Sequence, residues 1–158
     1  MSLLPFFEWL ENLAFSAAIR ESSWIGPAVN VMHILALVVL AGAIFIVDVR
    51  LLGGGMKSQP VAQVARDARP WLIGGLLGMV LTGIPQLTST AIKQYYSPFF
   101  WPKMEILLVA VIFTFTLRRM VTMADEGRVG SFWSKAVGLI SIALWTSVAI
   151  EGRLIGFD

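Results

Sequence analysis

The sequence predicts an all-α, polytopic membrane protein whose single domain, residues 1–158, is a four-transmembrane-helix bundle with an N-terminal amphipathic interfacial helix. Three observations support this prediction. The chain is 57% hydrophobic and 14% charged, whereas soluble domains have roughly 45–50% apolar and about 25% charged residues. The mean hydropathy is +0.78. Four apolar runs, with their flanking residues, supply the ~20 residues that each crossing of the hydrocarbon core needs.

The first predicted element is a short amphipathic helix over about residues 5–20. Its apolar residues recur at helical spacing, namely Phe6, Leu10, Leu13 and Ala17. A cleavable signal peptide is not expected, because the stretch lacks a basic start and contains Glu8 and Glu11. The helix would lie in the membrane interface, and packing of the same apolar face against the bundle is the alternative.

The first two spans are predicted at about residues 25–48 and 70–91. The run from Trp24 to Val47 has no formal charge, and neither does the second span. In the second span, small residues follow each other at four-residue intervals: Gly74, Gly78 and Thr82. Such a face allows a neighbouring helix to approach closely, so we expect it to pack against another span. The alternative is that Thr82 and Gln86 line a polar pocket.

The third and fourth spans are predicted at about residues 99–118 and 134–155. The uncharged core of the third, residues 106–117, covers only about 18 Å at the α-helical rise. It must therefore extend back through Lys103. The uncharged core of the fourth is also short and must extend forward through Glu151 and Arg153. Both extensions bring charged groups into the spans.

The distribution of basic residues predicts the orientation of the bundle. Two loops, residues 49–69 and 118–135, carry eight of the twelve lysines and arginines. These eight are Arg50, Lys57, Arg66, Arg69, Arg118, Arg119, Arg128 and Lys135. The positive-inside rule makes these loops cytoplasmic and both termini periplasmic. This rule, with pairing between Asp48 and an arginine, explains these charges without a catalytic role.

With four antiparallel spans, several polar groups must share the opposite, outer half of the membrane. They are Asn30 and His33 in the first span, Tyr95 after the second, Lys103 and Met104 in the third, and Glu151 and Arg153 in the fourth. A charge costs about 2.5–3.5 kcal/mol at a span centre and less near its end. Interfacial anchoring is the alternative role for the lysine, glutamate and arginine.

His33 is the only histidine, and the chain has no cysteine. Thiolate metal sites, iron–sulfur clusters and disulfides are therefore excluded, as is a histidine-rich zinc site within one chain. A single imidazole inside a span suits cofactor ligation or proton and ion handling. The structural alternative is an imidazole that bonds to Asn30 or to a neighbouring helix.

Three segments together resemble a bacterial family of four-helix inner-membrane proteins of unknown function. They are "SSWIGPAVNVMHILALVVLAGAIFIVDVRLLG", "ARDARPWLIGGLLGMVLTGIPQLTSTAIKQYYSPFFWPKM" and "LWTSVAIEGRLIGF". The resemblance runs from about Phe6 to the C-terminus and implies the bacterial inner membrane. More distantly, the layout is similar to that of the haem-dependent membrane protoporphyrinogen oxidases, which have a histidine in an early span and a lysine at the start of a later one. His33 and Lys103 match these two positions. The layout is also similar to that of the copper-resistance D-type membrane proteins.

The first functional hypothesis is binding of b-type haem for redox or porphyrin-related work. His33 would be the metal ligand, and Met104, Met79 or the His33 of a second copy would supply the other axial ligand. Lys103 and Arg153 would pair with the propionates, and Trp101 or Tyr95 would pack against the ring. The candidate cofactor-binding residues are His33, Asn30, Lys103, Met104, Arg153, Glu151 and Tyr95.

Two other hypotheses stay open. One is a transport protein for copper or a small solute, because methionine and histidine suit copper and Met32, His33 and Met104 are available. The other is a non-catalytic subunit of a larger membrane complex. We found no hydrolase motif, phosphate-binding glycine loop or nicotinamide fingerprint, so whether the protein is an enzyme stays open. The expected partners are the lipid bilayer and a second copy or a larger complex. Nucleic acid is not expected at a net charge of +2.

Overall fold

The computed structural model describes residues 3–55, 58–124 and 131–157. Lys57 and Arg128, two of the eight basic residues that predict the orientation, lie outside the described residues. The helices are α1 (Leu4–Glu11), α2 (Ala14–Glu21), α3 (Ile25–Leu51), α4 (Val61–Ser89), α5 (Ala91–Tyr96), α6 (Phe100–Phe113), a π-helical segment (Thr114–Arg118), α7 (Arg119–Met123) and α8 (Ser131–Leu154). Four helical stretches are long and apolar enough to cross a membrane: Ile25–Leu51, Val61–Ser89, Phe100–Met123 and Ser131–Leu154. The predicted all-α membrane fold with four spans is therefore confirmed.

Two spans are longer than the apolar runs that predicted them. α4 begins at Val61 and passes through Pro70, which the sequence suggested as the start of the span. Its 29 residues correspond to about 44 Å, which exceeds the ~30 Å hydrocarbon core. The third span continues to Met123. Because α4 begins at Val61, Arg66 and Arg69 lie on a helix rather than in a loop. Because the third span ends at Met123, Arg118 lies within it.

The N-terminal stretch forms two short helices rather than one. α1 ends at Glu11, and α2 begins at Ala14 after a break. Phe7 is buried against Ala91 and Phe100 at one end of the bundle. The Glu11 carboxylate accepts a hydrogen bond from the Ile92 amide at 2.7 Å, which ties α1 to the start of α5. One face of α1 thus packs on the bundle, while Phe6 stays exposed on another face.

The closest contact between spans is that of α3 with α4, and it depends on Gly75. A Cβ atom added at Gly75 would lie 2.7 Å from the Leu40 amide nitrogen and 2.8 Å from the Leu40 Cα. A Cβ at Gly78 would lie 3.0 Å from the Cβ of Ala36. A Cβ at Gly74 meets no atom of the neighbouring helices within 4 Å in the described chain. The predicted small-residue face exists, but Gly75 takes the place of Gly74, because a helix has 3.6 and not 4 residues per turn.

Substitution of these two adjacent glycines gives a matched test. We expect Gly75→Ala to lower the free energy of unfolding by about 1–3 kcal/mol, because the methyl group would force α3 and α4 apart. Gly74→Ala should leave it unchanged or raise it by about 0.5–1 kcal/mol, the helix-propensity gain of alanine over glycine. Unfolding of purified protein in mixed micelles, followed by circular dichroism, measures both. Equal effects of the two substitutions would contradict the close contact at Gly75.

A buried ion pair joins α3 to the third span. Arg118 Nε donates to Asp48 Oδ1 at 2.7 Å, and its Nη2 donates to the Ile44 carbonyl at 3.0 Å. The side chains of Arg118 and Asp48 are 5% and 0% exposed. The predicted pairing of Asp48 with an arginine is thus present, and it lies inside the bundle. Arg118 ends the π-helical segment, and such segments often occur at functional sites.

Candidate functional site

We call the end of the bundle at which His33 lies the histidine end. A polar cavity of about 400 Å³ lies there, between the ends of the four spans. Side chains of all four spans line it. The polar ones include Asn30, His33, Gln86, Lys93, Lys103 and Arg153. Its size falls within the usual range for a small-molecule site, about 300–1,000 Å³. The antiparallel order of the spans brings together groups up to 123 positions apart, from Asn30 to Arg153.

A second cavity, of about 220 Å³, extends from His33 toward the middle of the bundle. Its lining is mostly apolar and includes Leu37, Met79, Phe100, Met104, Leu107 and Trp145. His33 and Lys103 line both cavities. The site is therefore amphipathic: its outer part is polar, its inner part is apolar, and the imidazole lies at the boundary.

His33 is held from the neighbouring helix by a two-step hydrogen-bond chain. Its Nδ1 lies 2.7 Å from Thr82 Oγ1, and Thr82 Oγ1 donates to the Gly78 carbonyl at 2.6 Å. A carbonyl oxygen only accepts, so the single hydroxyl hydrogen of Thr82 points at Gly78. The hydroxyl must then accept from His33, which assigns the proton of the neutral imidazole to Nδ1. This leaves the lone pair on Nε2 for another partner.

Two glycines leave room for the principal side chains of the site. A Cβ added at Gly83 would lie 3.4 Å from His33 Cε1. A Cβ added at Gly152 would lie 3.4 Å from both Cε and Nζ of Lys103. A larger residue at either position would thus crowd the imidazole or the ammonium group.

Glu151 lies next to Gly152 at the end of α8 and supplies a negative charge near Lys103. Its Oε2 atom is buried and has no hydrogen-bond partner among the described residues. An unpaired buried carboxylate oxygen is costly. The ammonium group of Lys103 offsets part of this cost by its electrostatic attraction.

Two residues proposed for ligand binding, Tyr95 and Met32, line neither of the two cavities at the histidine end. Tyr95 packs in an aromatic cluster with Phe7 and Trp101, at ring-centroid distances of 5.2 and 5.9 Å, and neither cavity described above is lined by it. Met32 is 58% exposed and also lines neither of them. Arg153 does line the polar cavity, but its guanidinium carbon also lies 4.7 Å from the ring centroid of Phe157.

Sequence reasoning missed the contact of Thr82 with His33. It assigned Thr82 to helix packing, and the structure shows that the hydroxyl also positions the imidazole. The available signal was the spacing between Thr82 and Gln86, which places both on one face of α4. Gln86 lines the polar cavity. In the described part of the chain, no three His, Asp or Glu side chains form a metal-binding group. Since His33 is the single histidine of the sequence, it would be the imidazole ligand of any metal bound here.

Comparison with protein families gives a match over residues 6–158 to a family described as "Family of unknown function (DUF6644)". No curated protein and no solved structure matches the chain significantly. The match supports the resemblance to a family of unknown function. The distant similarity to the haem-dependent oxidases and the D-type copper proteins has no support in these comparisons and stays a prediction.

Proposed function

The chain belongs to this family of unknown function, and we propose that it is a multi-pass membrane protein that binds b-type haem at the histidine end. One observation carries the proposal: the hydrogen-bond chain from His33 through Thr82 to Gly78 leaves Nε2 without the proton. Histidines that ligate metals usually donate their other ring N–H to a fixed acceptor, which sets the tautomer and the ring orientation. Thr82 is such an acceptor.

The polarity of the site also supports haem. A porphyrin has an apolar ring and two anionic propionates, and the cavities at His33 are apolar inward and basic outward. Lys103 and Arg153 would pair with the propionates. Met79 and Met104 line the apolar cavity and are the candidates for a second axial ligand. Haem, when bound, supplies one-electron redox chemistry.

The proposal is tested by titration of haem into purified protein. We expect a saturable Soret band for the wild-type chain. Thr82→Val should weaken haem binding by about 10–100-fold, the usual effect of removing a group that orients a metal ligand, whereas Thr82→Ser keeps the hydroxyl and should bind as the wild type does. A folded wild-type protein without a Soret band would refute haem binding. Equal affinity of the Val and Ser variants would refute the role of Thr82.

Copper is the second candidate, because His33, Met79 and Met104 line one cavity. Thioether and imidazole ligands suit Cu(I). This ligand set differs from the one suggested by the sequence, since Met32 is exposed and lies outside both cavities described above. Stoichiometric Cu(I) binding that His33→Ala abolishes, in a protein that gives no Soret band, would favour copper over haem.

We also propose the bacterial inner membrane as the location, with both termini periplasmic. The support is the excess of arginine at the end of the bundle opposite the histidine. Assembly as a homodimer or within a larger membrane complex is likewise a proposal. Crosslinking in native membranes tests it, and a stoichiometric partner together with a cofactor-free chain would favour the role of a non-catalytic subunit.

A further inference from the structure

A further cavity lies at the end of the bundle opposite the histidine end, here called the arginine end. A groove of about 180 Å³ runs between α4 and the third span. Four arginines line it: Arg66 and Arg69 from α4, Arg118 from the π-helical segment and Arg119 from α7. Apolar side chains, among them Leu72 and Phe115, line the part nearer the middle of the bundle. The groove thus changes from basic to apolar along the direction of the spans.

Among the described residues, no carboxylate neutralises the charge of Arg66, Arg69 and Arg119 in this groove. Arg118 also lines it, but the guanidinium of Arg118 is bound to Asp48. Within residues 3–55, 58–124 and 131–157, no ion pair or side-chain hydrogen bond involves the guanidinium groups of Arg66, Arg69 and Arg119. No described carboxylate lines the groove. The groove therefore presents three positive charges that have no partner in the part of the chain that the structure describes.

We propose that the groove binds the headgroup and one acyl chain of an anionic phospholipid. Arginine is the preferred partner of phosphate because its planar fork donates two parallel hydrogen bonds. Basic pockets between transmembrane helices are known to bind anionic lipid headgroups. The proposal does not depend on haem binding at the other end.

The dimensions of the groove favour a lipid over a free phosphate compound. Arg66 and Leu72 lie on the same helix, six positions apart, which is about 9 Å along the axis. A headgroup held at Arg66 would place the first methylenes of its chain beside Leu72 and Phe115. An apolar wall contributes to the affinity of an acyl chain and offers nothing to a small hydrophilic anion.

Native mass spectrometry of the full chain in detergent tests the proposal, with phosphatidylglycerol and phosphatidylcholine of equal chain length as probes. We expect phosphatidylglycerol to bind at least about tenfold more tightly. Arg69→Gln and Arg119→Gln should each weaken its binding by about fivefold, the effect of one basic group near a lipid surface. Lys135→Gln is the matched control, because Lys135 is an exposed charge on α8 outside the groove and its loss should change the affinity less than twofold.

Three results would overturn the proposal. The first is equal affinity for the two lipids. The second is an equal loss for Lys135→Gln and Arg69→Gln, which would indicate a general surface charge effect. The third is competition by glycerol 3-phosphate at the same concentrations as the lipid, which would assign the arginines to a soluble phosphate compound. Circular dichroism of each variant confirms that it is folded, and Arg69→Lys, which keeps the charge, should recover part of the affinity.

Discussion

Replacement of Arg118 by methionine is expected to lower the free energy of unfolding by about 3–5 kcal/mol, because it leaves the Asp48 carboxylate buried without a counter-charge. Asp48 is fully buried, and its Oδ1 accepts the 2.7 Å hydrogen bond from Arg118. The measurement is unfolding in mixed micelles, followed by circular dichroism.

The double variant Asp48→Leu/Arg118→Met tests whether the loss of stability comes from the unpaired carboxylate of Asp48. Replacing both members of a buried ion pair by apolar residues is often neutral or stabilising, so we expect the double variant to recover most of the lost stability. Arg119→Met is the control for loss of a positive charge. Arg119 is exposed, and its replacement should change the stability by less than about 0.5 kcal/mol. A double variant as unstable as Arg118→Met would show that the ion pair does not explain the loss.

Replacement of His33 by alanine should abolish the Soret band of the haem-loaded protein. His33 Nε2 is the proposed iron ligand, and the chain has no other histidine. Met32→Ala is the matched control, because Met32 is the adjacent residue, is 58% exposed and lies outside both cavities at the histidine end. We expect that variant to bind haem as the wild type does.

The absorption spectrum and the bound haem per chain measure both variants. If His33→Ala retained the band at full stoichiometry, the ligand would be another group, and the proposed axial role would be wrong. If both variants lost it while remaining folded, the effect would belong to the helix and not to the imidazole.

The fold was predictable because the membrane imposes it. Backbone amides in lipid must bond within the chain, so four apolar runs that reach spanning length with their flanking residues favour four helices. The helix ends were less predictable. Pro70 suggested a start, yet α4 begins nine positions earlier, at Val61, because the solvated headgroup region does not require apolar side chains and the helix continues through it.

The candidate site was predictable only as a location. The order of the spans places His33, Lys103 and Arg153 at one end, and these residues do line one cavity. The spacing of polar and apolar residues along the sequence does not determine the rotation of each helix about its axis precisely enough to show which residues face the cavity. Met32 and His33 are neighbours in sequence but about 100° apart on the helix, and only the packed structure shows which of them faces the cavity. The assignment of Gly74 instead of Gly75 to the helix contact has the same cause.

The hydrogen bond of His33 links the position of the imidazole to the register of two helices. The ring belongs to α3, but its Nδ1 is bound to a hydroxyl of α4 that is itself bound to the α4 backbone. A slide of α4 along α3 by one helical turn would displace Thr82 by about 5.4 Å, enough to break a 2.7 Å bond. The close contact at Gly75, seven positions away on the same helix, prevents that slide. The geometry of the proposed ligand therefore depends on Gly75 and Gly78, which allow α3 and α4 to approach closely. Any event that changes the register of these two helices would change the position of the imidazole as well.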